Sequence, residues 1–528
     1  MAYKVLVMDG VSEKGLEPLR REPDIEVVIG NKMNEDELSA VIGDYDAVIV
    51  RSATKVTARV LENAHRLKVV GRAGVGVDNI DLQAATQRGV LVVNAPGGNT
   101  IAATEHTIAM MLALARNIPQ AVAKMKSGVW DKKAFLGVEL RGKTLGIIGL
   151  GRIGSAVARR AQAMEMDIMA YDPYITREKA ESLGVKLVTL EELLAAADFI
   201  TIHMPKTKET YHMLDERALA MMKDGVRIIN CARGGIIDEE ALYKYMQSGK
   251  VAGAALDVFE KEPNTDSPLL QLDNFIATPH LGASTAEAQL NVALDVAEEI
   301  VDALRGKIVR NTVNVPSIKP EVMAVVKPYL KLAEKLGKFQ AQLVEGRVTK
   351  LEVIYSGGLA GKEVAPITTS LVKGFLDPIL QEKVNFINAL LLAKNRGIKV
   401  VQTVNGQANG YASLITVKVY SDQGEKSVSG TLFRNNEPRI VMVDGYRVDA
   451  VPEGCMLYVL HMDRPMIIGP VGMLIGKHNI NIAGMQVGRK KIGGQAVMML
   501  TVDAPVPEET IKAITEIDGV LNVKFVSL

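Results

Sequence analysis

The chain is short of cysteine, of net charge and of long apolar runs. Two cysteines in 528 residues, Cys231 and Cys455, cannot form a disulfide framework or a multi-cysteine metal site, so no metal is expected. A formal net charge of +1 gives no bulk electrostatic reason for a nucleic-acid or membrane-surface partner. The longest apolar stretch, around Ile108 to Ala115, falls well short of the ~18–20 residues that span a bilayer. No signal peptide opens the chain, since Met1–Asp9 reads as a buried strand ending in an acid. Neither an internal repeat nor a low-complexity tract is present. What remains is an ordinary globular composition, 48% hydrophobic and 23% charged. The length suits roughly three or four domains at the usual ~150 residues each, and a cytoplasmic setting is expected.

The first half alternates short Val/Ile-rich runs with helical patterns, which predicts parallel α/β sheets. Strands are expected at Lys4–Met8, Ala47–Val50, Lys68–Val70, Leu91–Val93, Thr144–Ile148, Asp167–Ala170, Phe199–Ile202, Arg227–Asn230 and Ala254–Leu256. A long helical pattern, Thr104–Arg116, falls between two strand series and reads as a hinge helix joining two doubly wound lobes. Thr285–Asn311 then returns as helix to complete the first lobe, giving 1–99 plus 285–315 as one unit and 100–284 as the other. After Asn314-Val315-Pro316 the character changes. An α+β segment is expected over 316–452, opening with an amphipathic helix at Pro328–Leu343. The last unit, 453–528, reads as strand, helix, strand, strand, helix, strand, the ferredoxin-like order.

A glycine triplet gains meaning from its context. Gly149-Leu150-Gly151-Arg152-Ile153-Gly154 follows a strand and opens a helix, so its backbone can approach a dinucleotide pyrophosphate at a helix N-terminus. Asp172 ends the next strand about 20 residues on, where a carboxylate bonds the ribose hydroxyls and repels a 2′-phosphate, favouring NAD. A second glycine loop, Gly71–Gly76, has the wrong spacing for this fingerprint and reads as a substrate or nicotinamide loop.

Oxidising a secondary alcohol needs a base for the hydroxyl proton. His280, with Glu262 to hold its tautomer and raise its pKa, suits that task near neutral pH. Both follow strand-like segments, as does Arg233, whose planar fork suits a carboxylate. Adjacent strand ends of a parallel sheet bring such loops together where ligands bind.

On these residues the chain resembles the D-isomer-specific 2-hydroxyacid dehydrogenases over roughly Lys4 to Val315, and their long phosphoglycerate dehydrogenase branch over its full length. The matching motifs are Arg51–Thr57, Gly71–Asn79, Asn94–Thr100, the fingerprint, Cys231–Gly235 and His280–Thr285. The resemblance implies catalytic roles for Arg233, Glu262 and His280. It implies NAD contacts at Val75, Gly149, Gly151, Arg152, Ile153, Gly154, Asp172, Met204, Cys231, Ala232, Arg233, Asp257, His280, Gly282 and Ala283. Substrate contacts fall on Arg51, Ser52, Arg72, Gly74, Asn99, Arg233 and His280. Lys132, beside Lys133, resembles a basic position supplied by a neighbouring subunit. The implied substrate is 3-phosphoglycerate, oxidised in the first step toward serine, by a homo-oligomer (dimer or tetramer).

The same resemblance labels 100–284 as the NAD-binding lobe, 316–452 as the intervening domain and 453–528 as an ACT domain, a sensor of small ligands such as serine. His461, Asp463 and Asn481 match effector positions. One departure stands out: Met466 follows Pro465 where the pattern usually has glycine, and its side chain is expected to crowd an effector pocket. Two alternatives remain at this stage. One is a sister dehydrogenase acting on glycerate, glyoxylate or 2-oxoglutarate, and the other is a dinucleotide-sensing binding protein.

Overall fold

Runs such as Val5-Leu6-Val7 and Ala47–Val50 are buried along their length, which requires a sheet covered by helices on each side. The computed structural model of the chain describes residues 2–307, 309–316, 320–408 and 410–528. Five parallel strands, β1 (Tyr3–Val7), β2 (Ile25–Ile29), β3 (Ala47–Val50), β4 (Val69–Arg72) and β5 (Leu91–Asn94), lie in the order β2-β1-β3-β4-β5. The order reverses between β1 and β3, so the loops after them diverge and leave a crevice.

A second parallel sheet holds β6 (Thr144–Ile148), β7 (Asp167–Tyr171), β8 (Lys186–Leu187), β9 (Phe199–Ile202), β10 (Val226–Asn230), β11 (Val251–Leu256) and β12 (Phe275–Ala277). Its order is β12-β11-β10-β9-β6-β7-β8, and the reversal falls at β6, the strand that feeds the glycine fingerprint. The α/β class expected from the sequence is therefore the one found. Three strands escaped the sequence reading. β2 breaks its short apolar run with one acid, Glu26, β8 has two residues, and β12 has three. Short edge strands give little periodicity to detect.

The hinge helix runs Thr100–Arg116, four residues longer at its start than expected, and packs against β10, β11, β12 and the fingerprint helix Arg152–Ala163. The closing helix Ala286–Leu304 buries Val292, Val296 and Ile300 on the first sheet. Gly71 in β4 makes room for it, since a Cβ there would lie 2.5 Å from Val296 Cγ1. The expected helix through Asn311 stops at Leu304 because Gly306 (φ 65°) turns the backbone left-handed. Beyond it the chain lies along β5, where Thr312 pairs with Val93 and Asn314 Oδ1 accepts from the Val92 amide at 2.8 Å.

The next sheet is mixed. Its strands β13 (Val348–Gly357), β14 (Lys399–Asn405), β15 (Ser413–Ser421), β16 (Gly424–Leu432), β17 (Pro438–Val443) and β18 (Tyr446–Ala450) lie in the order β14-β13-β15-β16-β17-β18. Helix Pro320–Leu343 covers it and starts eight residues before the expected Pro328, which sits inside the helix. Burial of Val326, Leu332, Leu336 and Phe339 offsets the hydrogen bond that this proline cannot make. Ser317, at the expected opening of the 316–452 segment, lies outside the described residues.

The chain ends in β19 (Cys455–Met462), β20 (Ile482–Arg489), β21 (Gln495–Val502) and β22 (Val520–Ser527), with helices Ile468–Lys477 and Glu508–Thr515 in the expected ferredoxin-like order. This sheet is antiparallel, β20-β21-β19-β22, and its central strands β19 and β21 bury both faces. Leu457 and Val459 pack under its own helices, while Met456, Tyr458, Met499 and Val526 join the core of the mixed sheet.

That shared core predicts an inverted truncation result. A chain ending at Pro316 keeps both parallel-sheet lobes and should melt cooperatively. One ending at Ala450 strips Met456, Tyr458, Met499 and Val526 from the remaining core, at about 1.5–3 kcal/mol per large buried side chain. It should bind an apolar-surface dye and be proteolysed faster than either the short or the full chain. Equal protease resistance of the 1–450 and full-length chains would overturn this.

Candidate active site

The fingerprint loop is shaped by what its glycines leave out. A Cβ on Gly149 (φ 97°) would lie 2.7 Å from the His203 carbonyl, and one on Gly154 only 2.0 Å from the Gly149 carbonyl. Gly151, by contrast, has nothing within 4 Å of where its Cβ would be, so the backbone there is approachable. The fingerprint helix begins beside it, at Arg152 and Ile153, with no side-chain cap, leaving first-turn amides for an anion. Asp172 Oδ2 accepts from the Leu150 amide at 2.8 Å and Oδ1 from Tyr174 at 2.9 Å, tying the end of β7 to the glycine loop. Met204 is buried against Gly149. Its neighbour His203 is pushed down to about pKa 3 by burial and stays neutral. These features fit a dinucleotide.

Across the cleft, the first lobe presents its arginines from the strand ends at its own topological reversal. Asp9, left-handed at the end of β1 (φ 61°), accepts from the Arg51 and Thr54 amides at 2.7 and 3.1 Å and from Thr54 Oγ1 at 2.6 Å. Asn79 Nδ2 donates to the Arg51 and Thr54 carbonyls. The loop holding Arg51 and Ser52 is thus fixed from two sides. Arg72, the last residue of β4, lies flat over Gly74, whose Cβ would fall 1.6 Å from its Nη1. Burial, then the charges of Arg233 and Arg51, pull its guanidinium down to about 10. Arg72 Nε and Asn99 Oδ1 are buried with no hydrogen-bond partner. Arg72 lines the cleft between the lobes, where its unsatisfied Nε–H suits a polar ligand. Val75, next in the loop, is held through its carbonyl by Asn94 Nδ2 at 2.6 Å.

The nucleotide lobe supplies the rest. After β10, Asn230 braces the turn through Cys231 and Ala232 by bonding the Ala232 amide and the Arg233 carbonyl. Cys231 is no nucleophile here, since burial raises its thiol to about 12. Arg233 reaches across the cleft, and its Nε donates to Asp78 Oδ2 at 3.1 Å. A Cβ on Gly76 would sit 1.8 Å from its Nη2. Gly74 and Gly76 are therefore the spaces into which two guanidinium groups fit.

Glu262 and His280 meet as a pair, with Nδ1 2.8 Å from Oε2. The other Glu262 oxygen accepts from the Phe259 amide at 3.1 Å. Of the two nearby glutamates, Glu260 is engaged elsewhere, 2.8 Å from His212 Nε2. The hydrogen bond to Glu262 raises the His280 imidazole above its ordinary 6.5, against the opposing effect of burial. Burial works against the ionised Glu262 too, but the bonds from His280 and Phe259 outweigh it and hold the carboxyl below its usual range. Asp257 at the end of β11 accepts from the Leu281 and Gly282 amides, ordering the segment that contains Ala283 as well.

Arg72, Arg233, Glu262, His280 and Ser52 line one cleft of about 960 Å³. Lys55, Asp78, Lys206, Lys208 and Tyr211 line it too, and the sequence reading passed over them. The two lysines in Pro205-Lys206-Thr207-Lys208 immediately follow Met204, which was the available signal. Lys132 does not line this cleft but lies with Trp130, 6.0 Å from its ring. The effector candidates are separately engaged. Asp463 bonds Arg489 and Asn481 bonds Asp503, while His461 Nδ1 lies 2.8 Å from the Met462 carbonyl and its Nε2 is buried without a partner. Met466 is left-handed (φ 66°) and 79% exposed, so its side chain fills no cavity, contrary to the crowding expected.

Comparison with known proteins agrees along the whole chain. Residues 108–282 match the family model of the NAD-binding domain of D-isomer specific 2-hydroxyacid dehydrogenases. Residues 325–444 match the D-3-phosphoglycerate dehydrogenase intervening domain, and residues 456–519 the ACT domain. A D-3-phosphoglycerate dehydrogenase of Archaeoglobus fulgidus is 49% identical over 99% of this chain and 100% of its own length. The chain belongs to the D-3-phosphoglycerate dehydrogenase family. Another member, from Bacillus subtilis, is 46% identical over 100% of both chains. Among solved structures, the TT0316 protein from Thermus thermophilus is 35% identical (TM-score 0.55), covering 59% of this chain and 99% of its own. A D-lactate dehydrogenase from Aquifex aeolicus, solved with NAD and lactic acid, is 32% identical (TM-score 0.53) and covers 59% of this chain and 100% of its own.

The pH dependence follows from the Glu262–His280 bond. A general base works unprotonated, so kcat/KM should fall as pH drops through the raised His280 value. Glu262→Gln removes the anion that raises it, and the acid limb should move to lower pH. A limb that stays where it is would assign that ionisation to another group.

Proposed function

We propose that this protein oxidises 3-phospho-D-glycerate to 3-phosphohydroxypyruvate with NAD, the step that opens the phosphorylated route to L-serine. One observation carries the reading: Arg72 and Arg233, one from each lobe, line the cleft that holds the Glu262–His280 pair, with Arg51 near enough to act on Arg72 through its charge. Bound NAD supplies the hydride acceptor. Arg233 grips the substrate carboxylate with its planar fork. Glu262 accepts from the Nδ1–H of His280, which leaves the Nε2 lone pair to take the hydroxyl proton as the C2 carbon is oxidised. In the reverse direction the same nitrogen returns the proton.

A phosphate dianion at the far end of the acid needs cations beyond the carboxylate clamp, and Arg51, Ser52 and Arg72 provide them. The unpartnered Arg72 Nε–H is a donor that such a ligand would satisfy. Lys132, remote from its own cleft, would serve a neighbouring copy. The class of effector is a small amino acid, as the ACT match suggests, and the exposure of Met466 removes the steric objection to serine.

Two experiments test this. In NADH-formation assays His280→Ala should lower kcat by ~10²–10⁴ while NAD binding stays near normal. In the same assay Arg72→Gln should raise KM for 3-phosphoglycerate and leave unphosphorylated glycerate almost unaffected. An equal loss on both acids would mean that Arg72 does not read the phosphate. Separately, Asp172→Ala should weaken NAD and relax discrimination against NADP, since it removes ribose contacts and repulsion of the 2′-phosphate together. Equal use of both cofactors by the unmodified protein would overturn that role.

A further inference from the structure

Asp257 is fully buried, and a carboxylate in that position keeps its charge only when donors surround it. Four groups reach it. The Leu281 and Gly282 amides lie at 2.7 and 2.8 Å, Thr278 Oγ1 at 2.5 Å and His106 Nε2 at 3.2 Å. Burial pushes the Asp257 carboxyl up, but His106, Thr278 and Leu281 together hold it below its usual range. The first three donors belong to the segment around His280. The fourth stands on the hinge helix Thr100–Arg116.

The hydrogen placement is determined by chemistry. An ionised carboxylate only accepts, so the ring nitrogen facing it carries a hydrogen. Thr278 spends its own proton on Asp257, so its oxygen accepts from the same His106 Nε2–H, 3.1 Å away. The backbone completes the clamp, because the His280 amide donates to the Asp257 carbonyl at 2.9 Å. His280 itself sits in the left-handed region (φ 57°), a conformation that its surroundings must hold in place.

We propose that His106 is a positioning residue, which completes the donor set of Asp257 and thereby makes the alignment of His280 depend on the seating of the hinge helix. This rests on the reading of His280 as the acid/base group. His106 touches no reacting atom. Its effect is geometric: the helix that joins the two lobes is pinned to the segment that presents the base. When the lobes close around a ligand, helix and base move as one.

The test uses the full-length protein with His106→Phe, which keeps a flat ring without a donor, and His106→Gln, which restores an N–H near the Nε2 position. Losing one hydrogen bond to a buried charge and loosening the base should cost His106→Phe ~10–100-fold in kcat. KM for 3-phosphoglycerate should stay within about twofold, because His106 contacts none of the residues assigned to the substrate. His106→Gln should recover to within about fivefold of the unmodified kcat, since the amide restores a donor to Asp257. Thr278→Val, which removes the other end of the contact, should show the same split as His106→Phe.

A second readout needs no turnover. The rate of His280 modification by diethylpyrocarbonate, read by mass spectrometry, should rise in His106→Phe and Thr278→Val and stay unchanged in His106→Gln. A His106→Phe enzyme with normal kcat and normal His280 reactivity would overturn the proposal, as would His106→Gln impaired as deeply as His106→Phe. If the unmodified protein oxidises no 2-hydroxy acid, the functional reading fails and the His280 modification rates alone decide the role of His106. If His106→Phe does not fold, Thr278→Val against His106→Gln decides it.

Discussion

Bringing two guanidinium groups into one cleft with a third close behind is electrostatically unfavourable, and much of the local architecture follows from making it tolerable. Like charges ~4 Å apart repel by about 1 kcal/mol in bulk water and about 4 kcal/mol near a protein surface. Burial first, and that crowding second, depress the Arg72 guanidinium. Asp9 and Asp78 are the acids that counter it. One anchors the Arg51 loop through its backbone, and the other pairs with Arg233 from the opposite lobe. Gly74 and Gly76 give the flat groups somewhere to lie. The same crowding that weakens the empty cleft is what a doubly charged ligand relieves, so binding strength and local instability have one origin.

The chemistry of the site was legible in the sequence because it sits at strand ends. Parallel strands are near-continuous apolar runs, and the residue just past each run is placed at the carboxyl edge by topology alone. Asp172, Arg233 and His280 were found in that way. Glu262 needed more, since Glu260 lies two positions away and only the fold shows which of them faces His280. Asp9 was visible as an acid closing a strand, but its work is done through backbone amides 42 and 45 residues away, a relation no local pattern carries. His106 lay hidden in a helix whose other faces are apolar. Its meaning came only from the buried carboxylate opposite.

The C-terminal region was read well as a succession of elements and less well as packing. The ferredoxin-like order was plain from alternation and turn residues. That its central strands β19 and β21 are covered on both faces was not, because residues on both sides of β19 are apolar and pattern cannot tell which neighbour covers each. Met466 shows the converse error: an unusual residue in a motif suggested a filled pocket, yet the side chain points into solvent. A residue's identity gives its volume, and only the backbone gives its direction.

The doubly buried strands have a mechanical consequence. A layer whose central strands are clamped between two cores resists slip along those strands. The mixed sheet and the last sheet therefore form one stiff lever. Asn385 Nδ2 reaches the Gly89 carbonyl at 2.7 Å just ahead of β5, a polar seam between that lever and the first lobe. Polar seams re-form after displacement at little cost, whereas an interlocked apolar core does not. Torque generated at the far end of such a lever would be delivered at the root of β5, the strand that leads through Asn99 into the hinge helix.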